Sequence, residues 1–165
     1  MGTRSTIALE FADGTVQQVY CHWDGYLEHN GKILFENYSD PFKLRDLIDQ
    51  GDISSLGKEI GSKHPFSPHT SQEDELAYHE AVDLAGATTF YGRDRGETGV
   101  SAKKFMDYED YRENHQYEEY EYILRNVGGE AVWFVDCGDR GEGGYVPLAE
   151  ALAKEAEAEK EELPL

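Results

Sequence analysis

Two cysteines in 165 residues, Cys21 and Cys137, are too few for a disulfide framework, and the four-ligand zinc spacings of Cys and His are absent. Reduced, buried thiols are the expectation. The chain also lacks any run of about 18 apolar residues that would span a membrane. No basic-then-apolar leader starts at Met1. The expected location is therefore the cytoplasm, with no membrane partner. Basic residues are scarce: 15 Lys and Arg stand against 34 Asp and Glu, a net charge of −19. A surface so acidic repels phosphate backbones, which disfavours direct nucleic-acid binding and favours a basic protein partner.

What is present argues for a folded body. Hydrophobic residues make up 39% and aromatics 12% of the chain, enough for one core at this length. Thr6 to Phe11 and Val16 to Trp23 are β-rich runs joined across Asp13-Gly14, a strong hairpin signal. A two-residue Asp13-Gly14 loop would set Ile7 against Tyr20, Ser5 against His22 and Arg4 against Trp23, placing His22 beside the core and Arg4 over the Trp23 ring.

Further on, Ile33 to Tyr38 reads as a short helix, and Asp40-Pro41 caps a second one that Gly51 ends. Residues 61–71 read as a loop. Ser71 caps a helix to about Ala85, with Leu76 and Val82 inward, and Thr88 to Tyr91 reads as a short strand. Residues 101–116 are compatible with a helix. Glu119 to Asn126 and Ala131 to Cys137 form a second hairpin around Gly128-Gly129. There a two-residue loop would oppose Glu121 to Asp136, so like charges predict a slipped register or a longer loop.

Pro147 opens a last helix whose end, rich in Glu and Ala, offers a core little to hold, so it is expected to fray. The expected fold is one α+β domain over residues 1–148, a mainly antiparallel sheet of about five strands from two β-hairpins plus a short strand, covered by helices. An acidic C-terminal helix or tail follows over 149–165.

Three stretches bear on function, and none carries a catalytic signature, a metal spacing or a cofactor motif. The first is Y-C-H-W-D-G-Y-L-E-H-N-G at 20–31. Cys21 and His22 are neighbours on a strand and face opposite ways, so they make no nucleophile-base pair. His22, Trp23, Asp24 and Tyr26 remain as candidate ligand-binding residues. The second is D-R-G-E-T-G at 94–99, repeated as D-R-G-E-G-G at 139–144. Side by side, these turns would offer Asp94, Glu97, Asp139 and Glu142 to a metal or Arg95 and Arg140 to an anion; as glycine turns they need do neither.

The third is the run F-M-D-Y-E-D-Y-R-E-N-H-Q-Y-E-E-Y-E-Y at 105–122. Its carboxylates, interleaved with flat rings, resemble phosphates interleaved with bases. Asp107, Glu109, Asp110, Glu113, Glu118, Glu119 and Glu121, with Tyr108, Tyr111 and Tyr117 as apolar anchors, form a candidate partner-binding ridge.

T-R-S-T-I at 3–7, Y-C-H-W-D-G-Y at 20–26, and Gly31, Leu34 and Tyr38 together resemble a family of small uncharacterised proteins found largely in bacteriophages and related mobile elements. The resemblance covers about the first 60 residues and extends weakly to G-R-D-R-G-E at 92–97. Leu27 stands where members usually have proline. What the resemblance implies is a setting, a phage accessory gene acting in the host cytoplasm, and it supplies no catalytic residues. In that setting acidic decoys of nucleic acid recur as inhibitors of defence enzymes, which is analogy.

The leading expectation is a non-enzymatic decoy that binds and inhibits a basic, nucleic-acid-handling host or defence protein. A small-ligand module holding a nucleotide or signalling molecule between the His22–Tyr26 turn and Arg95 or Arg140 comes second. A metal-dependent hydrolase using Asp136, Asp139 and Glu142 comes third.

Overall fold

A computed structural model of the chain describes residues 2–138 and 144–162. One mixed sheet organises it. Eight strands contribute: β1 (Ser5–Glu10), β2 (Val16–Cys21), β3 (Ile53–Ser55), β4 (Thr89–Phe90), β5 (Lys103–Phe105), β6 (Tyr120–Val127), β7 (Glu130–Asp136) and β8 (Val146–Pro147). Seven of them run in the order β4-β3-β2-β1-β6-β7-β8, and β5 joins the other end of β2. The β1–β6 and β2–β3 pairs are parallel and the remaining pairs antiparallel.

The expectation of about five strands is thus too small by β3, β5 and β8. Each is only two or three residues long, too short for a period-2 pattern to register. The ambiguous stretch 101–116, compatible with a helix, divides between β5 and the helix α5 (Tyr108–Asn114).

Alternation gives the sheet two faces. Ile7, Leu9, Val19, Cys21, Ile53, Tyr122, Leu124, Trp133 and Val135 point to one, where they form the main core with Leu34 of α1 (Lys32–Asn37), with Leu44, Leu47 and Ile48 of α2 (Pro41–Asp49), and with Leu148 of α6 (Leu148–Glu162). Ala8, Val16 and Ile123 point to the other, with Phe105 and Tyr111 packed against them. Helix α2 starts as its sequence demands, with Pro41 in the first turn and the Asp40 carboxylate accepting from Phe42 N at 3.0 Å.

The first hairpin is one residue out of the expected register. Ser5 faces Cys21, Ile7 faces Val19 and Glu10 faces Val16. Its loop has three residues, closed by Phe11 N→Thr15 O (2.8 Å) and Gly14 N→Phe11 O (2.9 Å), with Gly14 left-handed at φ 91°. Asp13 Oδ1 completes it by accepting from Thr15 N and Oγ1. A one-residue slip reverses faces. Tyr20 now opposes Thr6, on the face away from Ile7, and the pairing ends at Ser5 and Cys21, short of Arg4. Among the described residues the cations lying over aromatic rings do not include Arg4 over Trp23.

The second hairpin keeps the two-residue Gly128-Gly129 loop, and Glu121 does oppose Asp136. No slip occurs, for a reason given below.

Helix α3 (Gln72–Tyr78), capped by Ser71, continues as a wider-wound turn to Leu84. Leu76, expected inward, is 61% exposed. Helix α6 is continuous to Glu162, whereas fraying beyond Ala153 was expected; its contacts thin out all the same, with Ala156 to Lys160 all exposed. Among the described residues no helix is long and apolar enough to cross a membrane.

Thr6 is fully buried and its hydroxyl has no partner among the described residues. Such a group costs about 1–3 kcal/mol of desolvation without return. Thr6→Val, which keeps the shape and the strand preference, should therefore raise the melting temperature by roughly 2–4 °C in a thermal scan.

Candidate functional site

The stretch 20–31 is a structural knot with one exposed rim. Asn30, fully buried, directs its amide at Ser5 Oγ, Cys21 Sγ and Trp23 O, all at 3.3 Å, and accepts from His29 Nδ1 at 2.8 Å. Tyr122 donates to Gly25 O at 2.7 Å. Asp24 turns the chain with a positive φ of 56°, a conformation Asp tolerates better than most residues. Burial pushes the Cys21 thiol up to about 12, so it stays protonated and inert. Neither cysteine is in a disulfide, and Cys137 is half-buried. Tyr26 turns toward His29 with ring centroids 6.2 Å apart. The exposed rim is His22, hydrogen-bonded to Tyr20 OH at 2.7 Å, and Trp23, 43% exposed and edge-on to His22 at 4.7 Å.

A Cβ placed on Gly25 would lie 2.7 Å from Ser5 Cβ and 2.9 Å from Thr3 O. Gly25→Ala should therefore destabilise the protein by about 1–3 kcal/mol, as overpacking does. An unchanged melting curve would contradict the knot.

The run 105–122 divides into an inner and an outer side. Asp107 caps α5 by accepting from Asp110 N at 2.8 Å; Asp110 accepts from Met106 N and Asn114 Nδ2 at 2.8 Å each. On the inner side Tyr111, His115 and Glu121 are buried. His115 Nδ1 donates to Tyr111 O at 2.7 Å, since a carbonyl only accepts, and Nε2 meets Glu121 Oε1 at 2.6 Å. A neutral ring with its proton on Nδ1 would turn a lone pair toward the carboxylate, so the pair is imidazolium and carboxylate. Burial opposes that charge, but the Glu121 bond and charge and the Tyr111 and Arg112 backbone outweigh it, and the His115 pKa is raised.

Tyr145 donates to the same Glu121 oxygen at 2.9 Å, and its own hydroxyl lies 2.8 Å from Tyr111 OH. Burial raises the pKa of both phenols, so they remain protonated donors. The His115 ring lies between Tyr111 and Tyr117, at centroid distances of 4.5 and 4.2 Å. This is why the second hairpin does not slip: the cation that offsets the Glu121–Asp136 opposition is His115. Both ring nitrogens are committed, which leaves neither free to exchange a proton with a substrate.

Of the expected ridge, Glu121 and Tyr111 therefore lie inside. Asp110, Glu118 and Tyr108 are half-buried, the last lying under the Arg125 guanidinium at 3.5 Å. Asp107, Glu109, Glu113, Glu119 and Tyr117 are exposed.

In the turn at 94–99 the first acid is committed to the fold. Asp94 is buried and accepts from His64 N, Phe90 N and the Arg93 guanidinium at 2.8–3.2 Å, which pins the 61–64 segment to α4 (Tyr91–Arg95). Glu97 is exposed beside Arg95 at 3.5 Å. Arg140, Asp139 and Glu142 lie outside the described residues. Asp136, the remaining member of the hydrolase set, accepts from Gly138 N at 2.9 Å. The described residues do gather the carboxylates of Glu28, in the Leu27–Gly31 turn before α1, and of Glu155 and Glu159 on α6 within 4.8 Å of one another, with Glu28 more than a hundred positions from the other two.

No family model, curated protein or solved structure matches the chain. Sequence reasoning misses two features. One is Met106, 79% exposed at the start of α5. The other is a row of rings around Tyr91, whose members are separated by up to 71 positions (Tyr20 to Tyr91) and meet only through the β2–β3–β4 pairing.

Proposed function

We infer that the protein is a non-enzymatic binding protein whose acidic α5 face engages a basic surface on a nucleic-acid-handling partner. In the setting implied by the N-terminal resemblance, that partner is a host or defence protein inhibited by a phage accessory protein.

The observation that carries this reading is the division of labour on α5. Its inner residues are locked to the sheet through Tyr111, His115 and Glu121, so the outer ones are held on a rigid support. The outer acids are Asp107, Glu109 and Glu113, with Glu119 following; Arg112 and Asn114 are exposed beside them, and Met106 (79% exposed) and Tyr117 (67% exposed) flank the two ends of the helix. Carboxylates between two exposed apolar anchors suit a basic groove with apolar floor. Solubilising charge alone would not require the anchors.

The test is retention of a basic nucleic-acid-binding partner on the immobilised protein at low salt, with release at moderate salt and displacement by duplex DNA. Surface charges are screened over about 10 Å at 0.1 M salt, so the dependence should be steep. Retention that ignores both salt and DNA would overturn the reading.

A further inference from the structure

The α5 helix covers the second sheet face over β1 and β6, and the 61–71 loop approaches it beside β4. Between them, over β2 and β3, the face is paved with half-exposed rings. Phe66 packs on Tyr91 with centroids 5.6 Å apart. Tyr91 and Tyr20 flank one residue, Asp52, whose carbonyl accepts from Tyr91 N at 3.3 Å and whose carboxylate accepts from Tyr20 N at 2.9 Å. Tyr20 bonds His22 at 2.7 Å with ring centroids 6.0 Å apart, and His22 meets the Trp23 edge at 4.7 Å. A row of five rings results, all half-exposed or exposed.

The core does not account for this row. Its members belong to neither buried cluster, and a rim of one's own aromatics left to solvent is an unusual use of such residues. Charge around it also departs from the rest of the surface. Arg95 lies over Phe66 at 5.1 Å and Arg4 stands two residues before Thr6, the strand partner of Tyr20, so two exposed arginines border the row in a chain where acids outnumber bases 34 to 15. Lys103, bonded to Gln116 Oε1 at 2.9 Å, borders the row through its pairing with Gln18. The acids that face it are Glu97, 3.5 Å from Arg95, Glu118, and Asp52, which is engaged by Tyr20 N at 2.9 Å.

We propose that this ring-paved face between β2 and α4 binds a mononucleotide, its base stacked on the Tyr20–Tyr91–Phe66 rings and its phosphate held by Arg95 or Arg4. Ring stacking is sequence-tolerant and contributes per base, and a guanidinium takes a phosphate through paired donors. One nucleotide fits better than a strand because the remaining surface, at net −19, repels an extended phosphate backbone. The site is separate from the α5 face, so its failure leaves the proposed function standing.

The protein offers its own reporter. Trp23 is 43% exposed at the end of the row and Trp133 is 3% exposed in the core. Titration with AMP should quench tryptophan emission saturably, and adenosine should bind at least about tenfold more weakly, since it forfeits the charge-assisted bonds. Calorimetry with Trp23→Phe should still detect AMP while the optical signal disappears. Arg4→Ala/Arg95→Ala, both exposed and away from the core, should bring AMP down to the adenosine level with unchanged melting. Phe66→Ala should weaken both ligands alike. The proposal is overturned if AMP gives no saturable response by either method, if adenosine binds as tightly as AMP, or if a short oligodeoxyadenylate binds more tightly per nucleotide than AMP.

Discussion

His115→Ala should cost about 3–5 kcal/mol, the usual penalty for removing one partner of a buried ion pair, and so lower the melting temperature by roughly 6–20 °C. The reason lies in what remains. Glu121, 4% exposed, would keep only the Tyr145 hydroxyl while still facing Asp136 across the hairpin. The double variant His115→Phe/Glu121→Leu removes both charges and keeps the volume, and it should recover most of the loss, because a buried pair replaced by apolar groups is often neutral.

The pH dependence has a definite sign. The His115 pKa is raised in the folded state, so its contribution is complete below the unfolded value of about 6.5 and fades as pH rises through the folded value. Wild type and His115→Ala should accordingly differ most in melting temperature near pH 6 and least at alkaline pH. A gap that widens with rising pH would mean that the ring is neutral and the pair misassigned.

The same pair marks how far the sequence could be read. Both hairpins are legible, since Asp13-Gly14 and Gly128-Gly129 sit between β-rich runs, and so are the Asp40 and Ser71 helix caps. Register is a different matter. At the first hairpin the choice between a two-residue and a three-residue loop depends on Gly14 entering the left-handed region and on the Asp13–Thr15 bonds, which no hydrophobic pattern records, and the choice reverses the face of every residue on β2.

At the second hairpin the Glu121–Asp136 conflict is visible in the sequence, but its resolution by His115 depends on α5 folding back over β6. The parallel β1–β6 pairing joins residues more than a hundred positions apart and leaves no local trace. The candidate sites follow the same logic. The 105–122 run is conspicuous in composition, yet which of its acids face outward depends on the helix that Tyr111 pins. The ring row at Phe66, Tyr91 and Tyr20 is invisible until β3 and β4 bring it together.

Reversing the outward acids of α5 gives the second large effect. Asp107→Lys, Glu109→Lys, Glu113→Lys and Glu119→Lys together change the formal charge by +8 (four acids, each moving from −1 to +1), taking the net from −19 to −11. All four are exposed, so the core network is untouched. Asp107 also caps α5, and losing that cap costs about 1 kcal/mol; the triple variant that keeps Asp107 separates this helix effect from binding. Each variant should melt cooperatively within a few degrees of wild type.

Binding should respond far more. A basic surface that gained from four carboxylates would now meet four ammonium groups, and like-charge juxtaposition across an interface costs several kcal/mol, which at about 1.4 kcal/mol per decade is a loss of a hundredfold or more in affinity. Met106→Ala and Tyr117→Ala should each weaken binding less steeply and without changing its salt dependence, because they remove apolar contact rather than charge. If the reversed protein binds its partner as wild type does, the acids serve solubility alone and the α5 face is not the interface.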